Sequence, residues 1–237
     1  MDTPILPNPI YRQARFVLSA PTVKALPADQ GYEVAFVGRS NAGKSTAINA
    51  ITDNKSLTRV SKQPGRTQAI NVFAVSADRA LIDLPGYGYA NVAKSVKARW
   101  QAHMTQYLEQ RRALRGLMVV MDARHPLTEL DLHIIRWTQA AELPVHCLLT
   151  KADKLRPSQI PPLIERCLTT LRPFNHDIGL QPFSGLRKQG VADAHAVLDH
   201  WFELPPKAAT PDRKNFDGHS DPPGSTHRLV GEARRPD

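Results

Sequence analysis

Three short runs in this 237-residue chain combine residue types and spacings suited to phosphate and purine chemistry. The first, Gly38-Arg39-Ser40-Asn41-Ala42-Gly43-Lys44-Ser45, satisfies G-x-x-x-x-G-K-[ST]. Such a run turns the backbone tightly, so that successive amides and a helix N-terminus face one point and form an anion site for a di- or triphosphate. Lys44 would reach the β- and γ-phosphates, and the Ser45 hydroxyl would ligate Mg²⁺. The second run, Asp83-Leu84-Pro85-Gly86, offers a carboxylate able to hold Mg²⁺ through water and an amide at Gly86 able to meet a γ-phosphate. The third is Thr150-Lys151-Ala152-Asp153. A carboxylate at Asp153 can accept two hydrogen bonds from guanine N1–H and N2–H₂, a pairing adenine cannot offer, and the Lys151 stem can lie over the base. Singly these runs are less specific: Asp-x-Pro-Gly is a common turn, and Asp153 could instead cap the next helix.

These residues need strands that end together and helices that begin there. A short apolar run, Val34 to Val37, precedes the glycine-rich loop, and a helix-compatible run follows from Ser45 to Ile51. Two alternating runs, Asn71 to Val75 and Arg79 to Asp83, read as an antiparallel hairpin. Next come a long helical pattern from about Ala93 to Leu114, a buried strand Gly116 to Asp122, and a helix capped by Thr128 that runs to Glu142. A strand Pro144 to Thr150, a helix Pro161 to Leu171, a strand Gly179 to Phe183 and a helix Val191 to Trp201 complete the order. Continuously apolar strands alternating with helices predict a three-layer α/β fold. Its sheet is expected to be mostly parallel and six-stranded, with one antiparallel edge strand and helices on both faces. In such sheets ligands bind beyond the carboxyl ends of the strands, where all three runs fall.

Residues 1–30 are punctuated by proline, with one strand-like piece at Arg15 to Leu18, and read as an arm lying on a domain of residues 31–204. Residues 205–237 are polar and proline-rich and are expected to be disordered, since they hold too little apolar surface to offset chain entropy. A net charge of +9 favours a polyanionic partner, nucleic acid above all. Lys94, Lys97, Arg111, Arg112 and Arg115 would share about a third of the circumference of one helix at about 3.6 residues per turn. The chain lacks a run of about eighteen apolar residues, so no membrane span is expected. The N-terminus lacks the basic and apolar segments of a secretory signal. Two cysteines, Cys147 and Cys167, in apolar surroundings read as packed thiols in a reducing cytoplasm.

Two weaker runs join the three. In Gly65-Arg66-Thr67, followed by Gln68, the threonine hydroxyl can complete a Mg²⁺ shell, and Phe183-Ser184-Gly185 can offer backbone amides to a base. The five in this order resemble translation-factor-related P-loop GTPases. More closely, with Asp83-Leu-Pro-Gly-Tyr-Gly-Tyr89 and Asp122-Ala-Arg-His-Pro-Leu127, they resemble the EngB (YihA/YsxC) family of bacterial ribosome-biogenesis GTP-binding proteins. That resemblance implies a P-loop GTPase fold, GTP or GDP as ligand, Mg²⁺ held by Ser45, Thr67 and Asp83 (the last through water), and catalytic roles for Lys44, Thr67 and Gly86. It further implies a protein that meets rRNA and the large ribosomal subunit or its assembly intermediates and is needed for division and septation; a cytoplasmic monomer is expected. Asn41 stands where related GTPases hold K⁺, and could instead merely stabilise the loop. Two positions depart from the commoner GTPase pattern: Thr150 replaces Asn, and Gly185-Leu186 replaces Ala-Lys. Tyr87 stands where Ras-like enzymes place a water-orienting Gln, which implies slow turnover. Two other readings compete, a metabolic P-loop kinase and an RNA-binding module with a vestigial nucleotide site. The first lacks an evident Arg-rich lid or acceptor site, and intact Lys44, Ser45, Thr67 and Asp83 argue against the second.

Overall fold

Strands of alternating burial direction dominate the middle of the chain, and the central ones have an apolar layer on both sides. The computed structural model describes residues 7–58, 69–88, 102, 104–174 and 177–205. Seven strands pair into one sheet: β1 (Arg15–Ala20), β2 (Tyr32–Gly38), β3 (Ile70–Ala74), β4 (Arg79–Asp83), β5 (Leu114–Asp122), β6 (Val145–Thr150) and β7 (Ile178–Pro182). Their order across the sheet is β1-β3-β4-β2-β5-β6-β7. All neighbours from β4 to β7 are parallel, whereas β3 is antiparallel to both β4 and β1.

The sheet thus has one strand more than the expected six, and its antiparallel strand lies one place in from the edge. The reason is β1, which pairs with β3 through a register shift between Phe16 and Leu18 and becomes the edge itself. A short isolated apolar run gives no hint from sequence alone that it will find a sheet partner more than fifty positions away.

Helices α1 (Lys44–Ile51), α2 (Glu129–Ala140), α3 (Ile160–Leu171) and α4 (Val191–Trp201) complete the layers, with residues 104–110 also helical. On β2, Val34 and Phe36 pack with Ile48, Ile51, Leu198 and Trp201 of α1 and α4. Ala35 and Val37 point the other way, into a cluster with Tyr107, Ile134, Ile135, Leu163 and Cys167. This period-two division, apolar on both faces, is what a parallel sheet between two helical layers requires. α2 starts where the sequence suggests: Thr128 and Asp131 form a capping box. Prolines 161 and 162 occupy the first turn of α3, where a missing N–H costs nothing. Both cysteines are buried, and burial pushes each thiol above its ordinary range.

One expected helix ends early. The pattern from Ala93 to Leu114 falls partly outside the described residues, and β5 already begins at Leu114. The cause is tertiary. Arg111 is buried, its guanidinium held by Glu33 at 2.6 and 3.0 Å and by the carbonyls of Pro27 and Ala28. The amides of Arg112 and Ala113 donate to Asp29, and Tyr107 donates to Glu33. Arg115 lies on β5, its guanidinium 4.8 Å from the Tyr32 ring centre. Of the five residues of the expected basic face, Arg111 is spent inside and Arg115 belongs to a strand, Arg112 is exposed, and Lys94 and Lys97 lie outside the described residues. The expected disorder of 205–237 likewise concerns positions that, beyond 205, lie outside them.

Removing one member of a buried charge pair strands the other in low dielectric. Arg111→Met is expected to lower unfolding free energy by about 3–5 kcal/mol in urea titration. A loss under about 1 kcal/mol would show that Glu33 finds another partner.

Candidate functional site

The carboxyl ends of β2, β4, β5 and β6 lie side by side, and the sequence motifs sit on them. After β2 the chain turns through residues 39–43, with Asn41 left-handed at φ 63° and Gly43 at φ 93° as the residue before α1. Only glycine takes that second conformation without strain. Lys44 and Ser45 open α1, so the loop amides and the helix N-terminus do face one region, the geometry that favours an anion.

Lys44 Nζ forms an ion pair with Asp83 Oδ1, both side chains largely buried. Asn71 Nδ2 donates to Asp83 Oδ2 at 3.2 Å, because the β3–β4 register sets Asn71 opposite Asp83. Sequence reading missed Asn71 as a member of the site, although counting across the short hairpin would have found it. Leu84 is buried and Pro85 and Gly86 half-buried in the turn beyond β4. Tyr87 then rejoins the loop: the Ser40 amide donates to its carbonyl at 2.8 Å, and its own amide donates to Gly38 at 3.3 Å. The Tyr87 ring is buried and its hydroxyl donates to Asp131 at the start of α2. Burial, with the Asp131 carboxylate beside it, pushes that phenol well above its ordinary range, so it stays protonated. The ring is thereby anchored on α2.

The base motif is tied to the phosphate loop by side chains. The Thr150 hydroxyl lies between the carbonyls of Ala42 and Met121, the latter at 2.9 Å. Lys151, left-handed at φ 58°, sends its ammonium to the Asn41 carbonyl at 2.7 Å and to Asp122 Oδ2 at 2.9 Å. Asp153 lies in a short 3₁₀ turn, Ala152–Lys154, and caps no helix: α3 begins at Ile160 after Gln159. Its Oδ1 accepts the Ser184 hydroxyl at 2.6 Å, while the Ala152 amide donates to the Phe183 carbonyl at 3.1 Å. Phe183-Ser184-Gly185 is thus brought against Thr150-Lys151-Ala152-Asp153. The small residue at 185 is required by α1: a Cβ there would sit 2.9 Å from both the carbonyl oxygen and Cγ2 of Thr46. Gly65, Arg66, Thr67 and Gln68 lie outside the described residues.

The donor set fits Mg²⁺. Hard oxygen ligands, the Ser45 hydroxyl and the Asp83 carboxylate, stand next to a phosphate cradle, and Mg²⁺ is usually held by one or two carboxylates plus substrate phosphates. Among the described residues no group of three His, Cys, Asp or Glu side chains could hold a metal ion.

A family model described as 50S ribosome-binding GTPase matches residues 33–151, half of the chain. A probable GTP-binding protein EngB of Escherichia coli O1:K1 / APEC is 48% identical over 213 residues, spanning 90% of this chain and 99% of that protein. Its counterpart in Klebsiella pneumoniae (strain 342) is 50% identical, over 85% of this chain and 97% of its own. The chain belongs to the EngB family of GTP-binding proteins. As an EngB-family member it is a P-loop GTPase, binding GTP and GDP and hydrolysing GTP. The fold agrees: a crystal structure of a probable GTP-binding protein engB superposes with TM-score 0.59 at 21% identity, covering 72% of this chain and 98% of that one. Era, solved in complex with MgGDPNP and nucleotides 1506–1542 of 16S ribosomal RNA, gives 0.55 at 22% identity, covering 76% and 59%.

For an EngB-family protein the threonine at 150 then has a physical account. One hydroxyl reaches both the phosphate loop and the adjacent strand, a task that a longer amide can also perform. Thr150→Val keeps the shape and removes the donor. GDP binding should weaken by about 1–3 kcal/mol, read by calorimetric titration, with ATP still failing to compete. Unchanged affinity would mean the hydroxyl contributes nothing to the loop.

Proposed function

We propose that this GTPase is a slow, nucleotide-dependent switch in assembly of the large ribosomal subunit, acting as a cytoplasmic monomer that meets rRNA and is needed for normal division and septation. The observation carrying the switch reading is Tyr87: the position that could orient an attacking water is instead pinned between the phosphate loop and α2. A GTPase without that group suits a timer that awaits an external stimulus better than a fast catalyst. The ribosomal part is supported by the description of the matched family model and by Era's solved complex with ribosomal RNA.

In this reading residues 38–45 cradle the phosphates, Lys44 and the Gly86 amide stabilise charge on the γ-phosphate, and Asp153 reads guanine. Lys151, Ala152 and residues 183–185 frame the base. Leu84 and Pro85 set the turn that presents Gly86. Gly65, Arg66, Thr67 and Gln68 supply the remaining Mg²⁺ and phosphate contacts, with Ser45, Thr67 and, through water, Asp83 holding the ion. Bound there, Mg²⁺ would neutralise phosphate charge. For this the Lys44–Asp83 pair would part, freeing the lysine for phosphate and leaving the carboxylate to help hold the ion through water. One buried ion pair is thereby exchanged for two interactions of the same signs, so neither charge is stranded. Residues 7–30 act as an arm of the GTP-binding domain.

Depletion followed by sucrose-gradient profiling should reduce mature large subunits and accumulate lighter particles. Unchanged subunit peaks would sink the assembly role. Asn41 is exposed and left-handed, its carbonyl engaged by Lys151, which leaves its side chain available for a monovalent cation beside the phosphates. Hydrolysis measured in K⁺ should exceed that in Na⁺ at equal ionic strength, and equal rates would remove the cation from the mechanism.

A further inference from the structure

The run Asp122-Ala123-Arg124-His125-Pro126-Leu127 has no task in the reading above. Asp122 ends β5 in register with Thr150 at the end of β6, so it stands beside the base motif and close to the phosphate loop. Its Oδ1 accepts the Arg124 amide at 3.0 Å and Arg124 Nε at 2.9 Å. Its Oδ2 accepts Arg124 Nη2 at 2.6 Å and Lys151 Nζ at 2.9 Å. A carboxylate offers about four lone-pair directions, and here four donors use them. The amide contact closes a local turn two residues long, while the planar guanidinium fork grips both oxygens. Asp122 is therefore fixed in orientation before it meets Lys151.

The lysine is the opposite case. Its stem has four rotatable bonds and its ammonium would ordinarily roam in water. A neutral carbonyl such as that of Asn41 is a modest attraction for it, whereas a second, charged acceptor makes a stronger, directed bond. The two acceptors stand on different elements, the loop after β2 and the end of β5. Meeting both confines the ammonium to one place and lays the stem between the base motif and the phosphate loop.

We propose that Asp122, gripped by Arg124, is a positioning residue for guanine-nucleotide retention: it confines the Lys151 ammonium on the Asn41 carbonyl, so that the lysine stem is already laid out as the platform for the base. The inference rests on the reading of Lys151 as the base-facing residue. Asp122 acts through that lysine and makes no contact with the nucleotide itself. The Arg124 guanidinium, and after it Lys151, hold the Asp122 carboxyl well below the usual carboxylate range, so the clamp stays charged at any pH near neutrality. Preorganisation of this kind reduces the ordering cost of binding and shows chiefly in the dissociation rate.

The test is release of a fluorescent GDP analogue from the full chain, chased with excess GDP, for D122N, K151M and the double variant, with the thermal midpoint of each recorded. D122N should speed release about tenfold. K151M should do at least as much, and the double variant should be no faster than K151M alone. That non-additivity is a readout that a merely structural role for Asp122 would not produce. Arg124→Lys, which keeps the charge but loses the fork, should give an intermediate rate and serves where D122N folds poorly. Additive effects in the double variant overturn the proposal. So does wild-type release by D122N when K151M is fast, and in that case the reading of Lys151 survives. Wild-type release by K151M removes the reading of Lys151 and the proposal together.

Discussion

Parallel pairing of β2, β5 and β6 brings three strand ends level, and the site depends on that register. Val34 to Gly38 pair with Gly116 to Val120, and Leu117 to Asp122 with Val145 to Thr150. Because side chains alternate faces, a slip of one residue would turn Thr150 away from Ala42 and send Asp122 to the other side. The apolar residues that prevent such a slip are the same ones that fill the two core layers. Register is thus held by burial over many residues, and the polar side chains of Asp122 and Thr150 at the strand ends use it.

Those side chains connect parts that a nucleotide would touch separately. Thr150 and Lys151 come from the base motif but bond to carbonyls of the phosphate loop. Lys44, from that loop, meets Asp83 of the next strand, and Tyr87 returns to Gly38 and Ser40. Phosphate loop, metal-side carboxylate and base motif are consequently one hydrogen-bonded unit, and a shift at one place is felt at the others. Coupling of this kind suits a protein whose task is to report which nucleotide it holds, since a switch needs an element that the ligand can bias.

Charge is distributed differently from what composition suggests. The chain carries a net +9. Yet Arg111 is consumed in a buried cluster with Glu33 and Tyr107, and Arg124 grips Asp122. Lys188 and Arg12 both engage Asp53. An arginine whose donors already meet carboxylates has less to offer a phosphate backbone, so a count of basic residues overstates the free positive surface.

Much of the fold was legible in the amino acids themselves. Period-two and helical apolar patterns, the Thr128 cap and the turn at Ser76 to Asp78 place most elements within a residue or two, and the α4 limits agree to the residue. The phosphate and base motifs are local, each written in consecutive residues, and so their chemistry is readable without coordinates. What sequence could not supply were relations between distant segments. β1 becomes an edge strand only because β3 is there to pair with it. The helix of residues 104–110 ends where it does because Asp29 and Glu33, from the arm and β2, take the amides and side chains that follow. Arg111 looks like a surface cation until its buried carboxylate is in view, and the close approach of Gly185 to Thr46 is invisible until α1 is in place. Local propensity and motif chemistry act over a few residues and are carried by sequence; partner choice for a charge, a strand edge or a close approach is decided by which surfaces the folded chain brings together.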